Sequence, residues 1–433
     1  MLATLKAKSK NYLKTTSFYS RYYPKFSEVF WNPMSRNEEI YSNIVNVIAD
    51  KQQLGANFAL IGEKFFDNGS IAKEVLEIVR ERIDSGADDC INHANVVSSI
   101  KNADCSSLTS VYWKNLSFIA NSFGLHQIGY ALRSKSVEYL YSRGTGNKCI
   151  DEICELFAAA IDQGDYETAK HIMDKNLRIS KVFFKAAKKA DLFLRIVSGQ
   201  EKKAQISKSI RSTEDGKFAE YLSGKTIAIV SPAQPYEKVG SEIDSYDIVV
   251  RINYTGASSL ADKEFVGSKT SLSYYNGESG AKLLILENKD FIYELDYLVH
   301  KDEQNRLNMQ DSRERAMHHF DIFMLHGSLN MIPNMILDLL MFEVKQIKVF
   351  NVNFFLSSTV HNKNYIGYKE NSELLYSLAV HDKVTQINLI RNLWKRKIIN
   401  VDNECERILM TAKEELMEEY CKLYPFCIPG KNR

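Results

Sequence analysis

Between Lys225 and Thr270 the chain reads as a buried strand, Thr226 to Val230, then the polar, helix-compatible stretch Ser241 to Asp247, then a second apolar strand ending in Arg251-Ile252-Asn253. Two apolar strands separated in this way open an α/β sheet, and such sheets hold ligands in the crevice beyond the carboxyl ends of their strands. Ser231 and Asn253 fall at those two ends. The Asn253 amide can fix a nucleotide base or ribose through its paired donor and acceptor, or it can cap the turn that follows.

The 433 residues, 45% hydrophobic and 25% charged, have the balance of an ordinary globular protein and are enough for two cored domains. A net charge of +2, from 56 basic and 54 acidic residues, gives no global pull toward nucleic acid, which is not expected as a partner. Seven cysteines, with no Cys-x-x-Cys pair, fit neither a zinc site nor a disulfide framework and suggest free thiols in a reducing compartment. No apolar run reaches the roughly 18 residues of a membrane span, and the N-terminus lacks a signal-peptide core. A cytoplasmic location is expected.

Residues 1–36 form a basic, aromatic arm in which Lys6, Lys8, Lys10, Lys14, Arg21 and Lys25 alternate with Tyr12, Phe18, Tyr19, Tyr22 and Tyr23. Such an arm can lie on the inner, anionic face of a membrane, or it can be a solvated terminus. Residues 37–200 read as helix after helix, with Ile40, Ile44, Val45 and Ile48 at helical spacing. Reversals are expected at Phe65 to Gly69, Ala120 to Gly124 and Ile161 to Tyr166. The last resembles a tetratricopeptide turn, and the whole is expected to be an irregular all-α helical-repeat domain. Residues 201–224 turn polar and are expected as a linker, 225–400 as the α/β domain, and 401–433 as a C-terminal helix and tail.

Within the α/β half, Leu272 to Tyr275 reads as a strand running into Asn276. Phe320 to Leu325 is expected as a strand, His326 to Asn330 as a turn containing Ser328, Met331 to Phe342 as a helix and Gln346 to Phe354 as the next strand. A turn feeding a helix N-terminus offers free N–H groups and a favourable dipole to an anion or nucleotide. Farther on, His381 stands immediately before a helix with the apolar stripe Ile387, Ile390 and Leu393, and Asp382 is its expected N-cap.

Three segments together resemble the sialyl motifs of sialyltransferases. The large motif is matched by Ile243-Asp244-Ser245-Tyr246-Asp247, Arg251-Ile252-Asn253 and Gly267-Ser268-Lys269-Thr270, the small motif loosely by the Ser328 unit, and the very small motif by the His381 helix. The resemblance covers roughly Lys225 to Lys397 and implies a Rossmann-type nucleotide-binding domain of the sialyltransferase-like GT-A variant. It implies a donor made of a keto-acid sugar esterified to cytidine monophosphate (CMP), a glycan or glycolipid acceptor, and His381 as the general base, a task suited to a neutral imidazole. The helix beginning at Asp382 would keep that imidazole uncharged.

A leaving group with one phosphate does not require a divalent metal, and no Asp-x-Asp clamp follows a strand, so neither metal nor other cofactor is expected. Related enzymes present His or Tyr to the phosphate between the last strand and the His-led helix, where this chain has His361, Tyr365 and Tyr368. Donor contacts are expected from Ser231, Gln234, Asn253, Ser268, Asn276, Ser328, Asn330 and Tyr368. The family's Gly-Asn turn after the first strand is replaced by Val230-Ser231-Pro232-Ala233-Gln234, which puts the Ser231 contact in question and is compatible with another donor sugar. Sialic acid is the first expectation and 3-deoxy-manno-octulosonic acid the alternative. A helical-repeat scaffold with a degenerate, non-catalytic nucleotide fold is the reading from another class. Unlike animal sialyltransferases, with their membrane anchor and lumenal disulfides, the chain looks like a bacterial cytoplasmic enzyme of polysaccharide biosynthesis.

Overall fold

The computed structural model describes residues 70–85, 93–144, 150–177, 184–199, 212–286, 289–309, 313–357, 361, 365, 378–379 and 381–424. The N-terminal arm, the expected reversal at Phe65 to Gly69, Tyr368 and the tail from 425 lie outside the described residues.

Among the described residues seven α-helices come first: α1 (Ser70–Ser85), α2 (Ala94–Asn102), α3 (Ser110–Ser122), α4 (His126–Arg143), α5 (Ile150–Gln163), α6 (Tyr166–Ile172) and α7 (Phe184–Ser198). Two expected reversals fall between them, α3 to α4 at Gly124 and α5 to α6 at Gly164, both with φ of 72°. Their lengths run from 7 to 18 residues, and a repeat is not shown by them.

The expected linker is in part a helix, α8 (Thr213–Leu222). Its start is fixed reciprocally: Ser212 Oγ accepts from the Asp215 N–H at 3.1 Å, and the Asp215 carboxylate accepts from the Ser212 N–H at 2.8 Å. Phe218 and Leu222 are fully buried, so this polar-looking stretch is anchored by one apolar face.

Seven strands follow among the described residues: β1 (Thr226–Val230), β2 (Ile248–Ile252), β3 (Leu272–Tyr275), β4 (Tyr297–His300), β5 (Glu314–Ala316), β6 (Gln346–Phe350) and β7 (Asn400–Val401). They form one parallel sheet in the order β5-β4-β3-β2-β1-β6-β7. Apolar runs without alternation suit this, because parallel strands are covered on both faces. Ile227, Ile229, Ile248 and Val250 join a core continuous with Trp113, Phe123 and Phe193 of the helical layer. Ala228, Val230, Val249 and Phe350 face the other way, onto Ile243 and Val266. Each fully buried Val, Leu or Ile contributes about 1.5–3 kcal/mol, so this two-faced packing fixes the register.

Besides the short helices Gly240–Asp244 and Lys263–Val266 on either side of β2, this half carries helices α9 (Gly277–Ile285), α10 (Met331–Leu339), α11 (Lys383–Lys395), α12 (Asn403–Met410) and α13 (Lys413–Leu423). Three expectations are corrected. Phe320 to Leu325 is no strand: Asp321–Phe323 is a 3-10 turn, because Phe320 and Phe323 leave the sheet to pack on Phe193, each with ring centres 5.3 Å away. The strand expected to reach Phe354 stops at Phe350, since Asn351, Phe354 and Phe355 adopt φ of 58°, 50° and 68°. The boundary at 400 cuts through β7, whose Asn400 and Val401 pair with Lys348 and Val349. The four described cysteines Cys105, Cys154, Cys405 and Cys421 form no disulfide with one another. Among the described residues no helix is long and apolar enough to cross a membrane.

Candidate active site

The sheet order reverses at β1, with β2 to β5 on one side and β6 and β7 on the other. The carboxyl ends of β1, β2 and β6 therefore border a topological switch point. Ser231 leaves β1 there, its N–H donating to the Phe350 carbonyl at 3.0 Å and its Oγ accepting weakly from the Ala233 N–H at 3.3 Å. Gln234 is exposed on the loop beyond.

Asn253 ends β2 at φ 53°, a backbone setting that Asn tolerates better than most residues. Its amide is committed at both ends: Oδ1 accepts from the Asn276 N–H at 3.1 Å, and Nδ2 donates to the Tyr365 hydroxyl at 2.5 Å. Asn253 thus positions two neighbours. Asn276 caps α9, its Oδ1 accepting from the Ser279 N–H at 2.7 Å. The Tyr365 ring lies 5.1 Å from the His361 imidazole, which also stands edge-to-face with Phe355 at 6.1 Å. Asn253, Asn276, Tyr365 and His361 form one group at the edge.

A second group is built from the Ser328 turn and the start of α11. His381 Nδ1 lies 3.1 Å from both the Ser328 carbonyl oxygen and Ser328 Oγ. A carbonyl oxygen only accepts, so Nδ1 carries a proton in this contact. Gln386 clamps the arrangement: Nε2 donates to the His381 carbonyl at 2.9 Å, and Oε1 accepts from the Asn330 N–H at 3.2 Å. Asp382 caps α11, accepting from the Val384 N–H at 3.0 Å. Lys301 follows β4, its N–H donating to the Tyr275 carbonyl at 2.8 Å and its ammonium 3.7 Å from Asp321, which in turn accepts from the Leu329 N–H at 2.7 Å.

The helical layer holds α11 from behind. Arg133 donates from Nη1 and Nη2 to Asp162 at 2.9 and 2.6 Å, from Nε to Asp382 at 2.8 Å, and from Nη2 to Thr385 at 2.7 Å. Burial alone would raise the Asp382 carboxyl, but the Arg133 guanidinium brings it down to about 2. Lys383 reaches Asn121 at 2.7 Å and His126 at 3.0 Å, and burial lowers its ammonium to about 8.

Ser268 belongs to neither group. It precedes β3, at the opposite edge of the sheet, where its N–H and hydroxyl bind the Asp244 carboxylate at 2.9 and 3.0 Å. Gly267 has φ 70°, and a Cβ there would stand 2.3 Å from that carboxylate. Arg251 is likewise internal, donating to the carbonyls of Val266 at 2.6 Å and Lys269 at 3.0 Å. The Asp244, Arg251 and Ser268 elements of the large motif are stitches that set the sheet rather than ligand contacts.

Sequence reasoning missed Gln386, which a helical polar residue without a motif does not advertise. It also missed Asn351 at the end of β6, 5% exposed, whose Nδ2 has no hydrogen-bond partner among the described residues. Among the described residues no group of three or more His, Cys, Asp or Glu is arranged to hold a metal ion.

No family model and no curated protein matches the chain. Among solved structures, a mammalian sialyltransferase in complex with Gal-beta-1-3GalNAc-ortho-nitrophenol aligns with 49% of this chain and 84% of its own at 14% identity, with a TM-score of 0.27. A superposition that low carries no argument about activity.

Proposed function

We propose that the chain is an inverting, metal-independent glycosyltransferase that moves a keto-acid sugar from a CMP-activated donor to a hydroxyl of a glycan or glycolipid. The observation that carries this reading is the His381 imidazole, held with Nδ1 on the Ser328 carbonyl beside the ligand edge of a parallel sheet. In the reaction Nε2 takes the acceptor hydroxyl proton as the oxygen attacks the anomeric carbon. The bond from that carbon to the phosphate oxygen breaks on the opposite face, and cytidylate leaves with the electron pair. Asp321 lies in the field of His381 and would steady the imidazolium until solvent takes the proton. Tyr365 and His361 are the proposed donors to the departing phosphate.

Sialic acid is the proposed sugar, with 3-deoxy-manno-octulosonic acid second. The proposed setting is cytoplasmic, with peripheral contact on the inner membrane face through the N-terminal arm. The competing scaffold reading draws on the spent Asn253 amide and the Ser231 turn closed on itself. Calorimetry with nucleotides, followed by a donor screen for cytidylate release, tests both. Cytidylate should bind more tightly than uridylate or adenylate; equal affinity for all three would sink the donor assignment.

A further inference from the structure

Helix α13 lays the stripe Leu416, Met417 and Tyr420 into the main core, and Tyr424 follows just past its end. Tyr420 is fully buried, and a buried phenol must find an acceptor for its proton. Its hydroxyl donates to the Phe354 carbonyl at 2.5 Å, and the Tyr424 hydroxyl donates to the next carbonyl, that of Phe355, at 2.6 Å. Phe354 and Phe355 hold φ of 50° and 68°, where a bulky side chain is strained and persists only if its surroundings fix it. The bend they make leads to the groups proposed above as phosphate donors. Phe355 stands edge-to-face with His361 at 6.1 Å, His361 lies 5.1 Å from Tyr365, and the Tyr365 hydroxyl accepts from Asn253 at the end of β2.

The ring of the same Tyr420 serves the other group. The Lys383 ammonium stands 5.1 Å from the ring centre, and the His126 ring meets Tyr420 edge-on at 5.8 Å. Lys383 opens α11 directly after His381 and Asp382, and its ammonium also reaches Asn121 at 2.7 Å and His126 at 3.0 Å. An ammonium buried among these groups gives up water, and an aromatic ring supplies part of the attraction that it loses.

We propose that Tyr420 is a positioning residue that ties the two groups of the site together, its hydroxyl holding the Phe354–Phe355 bend and its ring holding the start of the His381 helix. This linkage rests on the transferase reading only for what the two groups do once aligned. Base and phosphate donors act on opposite faces of one anomeric carbon, so an error in their separation is felt by both. A bend released from its hydroxyls visits the aligned conformation for a fraction of the time, and the apparent affinity of a ligand held there falls by that fraction.

The test separates hydroxyl from ring. Tyr420→Phe keeps the ring and loses the bond to Phe354, Tyr420→Leu loses both, and Tyr424→Phe removes the neighbouring hydroxyl. In the full chain with isotope-labelled histidine, the ring signals of His361 and His381, assigned through His361→Gln and His381→Gln, report each group without any ligand. Tyr420→Phe and Tyr424→Phe should move the His361 signal toward that of an exposed histidine and leave His381 in place, whereas Tyr420→Leu should move both. Lys383→Met, which takes the cation off the ring, should move His381 and not His361, and it reads the ring contact even where Tyr420→Leu does not fold. Cytidylate affinity, measured by calorimetry, should fall about tenfold in Tyr420→Phe and about a hundredfold with Tyr424→Phe added, the scale of one and two hydrogen bonds. A merely structural Tyr420 would lose stability in urea with both histidine signals unmoved. That result, or a Tyr420→Phe variant that moves both signals alike, overturns the proposal. If the unaltered chain binds no cytidylate, the transferase reading fails, and the histidine signals still decide the linkage.

Discussion

Replacing Arg133 by methionine removes the guanidinium that joins the helical layer to the His381 helix. It leaves two buried carboxylates, Asp162 and Asp382, with side chains 1% and 9% exposed. Neither is stripped bare. Asp162 keeps the Gln163 amide at 2.8 Å and Asp382 keeps its own capping bond, while the one Thr385 hydroxyl proton serves either Asp382 at 2.7 Å or Asp162 at 3.0 Å. Removing one partner of a buried pair costs about 3–5 kcal/mol, and the retained bonds place this variant toward the lower end at neutral pH. The pH dependence identifies the cause. In the unaltered chain the folded Asp382 carboxyl is depressed, so its stabilisation is fully present above the unfolded pKa near 4 and is lost as pH falls through about 2. In the variant His326 and the Thr385 hydrogen bond still favour the carboxylate, but without the guanidinium burial is opposed far less and the folded pKa rises, so protonation relieves the penalty as pH falls. Urea unfolding at pH 7 and at pH 4.5 should show the stability gap shrinking at the lower pH. A gap under about 1 kcal/mol at pH 7, or one independent of pH, would refute the claim that an unpaired buried charge is what the mutation creates.

His381→Ala should lower turnover about a hundredfold or more with donor affinity nearly intact, as removal of a positioned base does; a parallel loss of cytidylate binding would make it a donor contact instead. Turnover should survive excess chelator, because a single-phosphate leaving group can be met by hydroxyl and imidazole donors; restoration by magnesium or manganese after chelation would favour a diphosphate donor. Gly267→Ala should destabilise by about 1–3 kcal/mol, since its Cβ meets the Asp244 carboxylate at a φ that suits glycine; thermal unfolding checks it. Asn351→Gly should leave stability equal or slightly raised while weakening cytidylate; lost stability with unchanged binding would make Asn351 a structural residue.

The strands were legible where burial on both faces demanded it. Thr226 to Val230 and Leu272 to Tyr275 occupy the expected residues; both are buried on both faces, and the apolar run Ile227 to Val230 in particular leaves a parallel strand no other use. The Asp382 cap was legible for the same local reason. Phe320 to Leu325 misled because its aromatics serve the contact between layers rather than the sheet, a tertiary fact that no period of two can encode. Ser268 misled differently: a motif reports that residues recur together, and here Asp244, Arg251 and Ser268 recur as a stitch at the far edge of the sheet. The Arg133 network was illegible because its partners lie 29 and 249 residues away.

The scaffold and enzyme readings differ in what they require of the sheet's carboxyl edge. Asn253, Asn351, Phe354 and Phe355 all hold positive φ there, at the ends of β2 and β6. Two aromatics in the left-handed region each cost on the order of 1 kcal/mol or more, and a buried amide nitrogen without a partner adds a comparable amount. The strain is held in place from outside: the Tyr420 and Tyr424 hydroxyls of the C-terminal helix and its end donate to the Phe354 and Phe355 carbonyls at 2.5 and 2.6 Å. A passive scaffold draws no benefit from such a cost. A site that must present the Asn351 amide beside Ser231, and a His361–Tyr365 pair against Phe355, does, because the groups are then set before the ligand arrives.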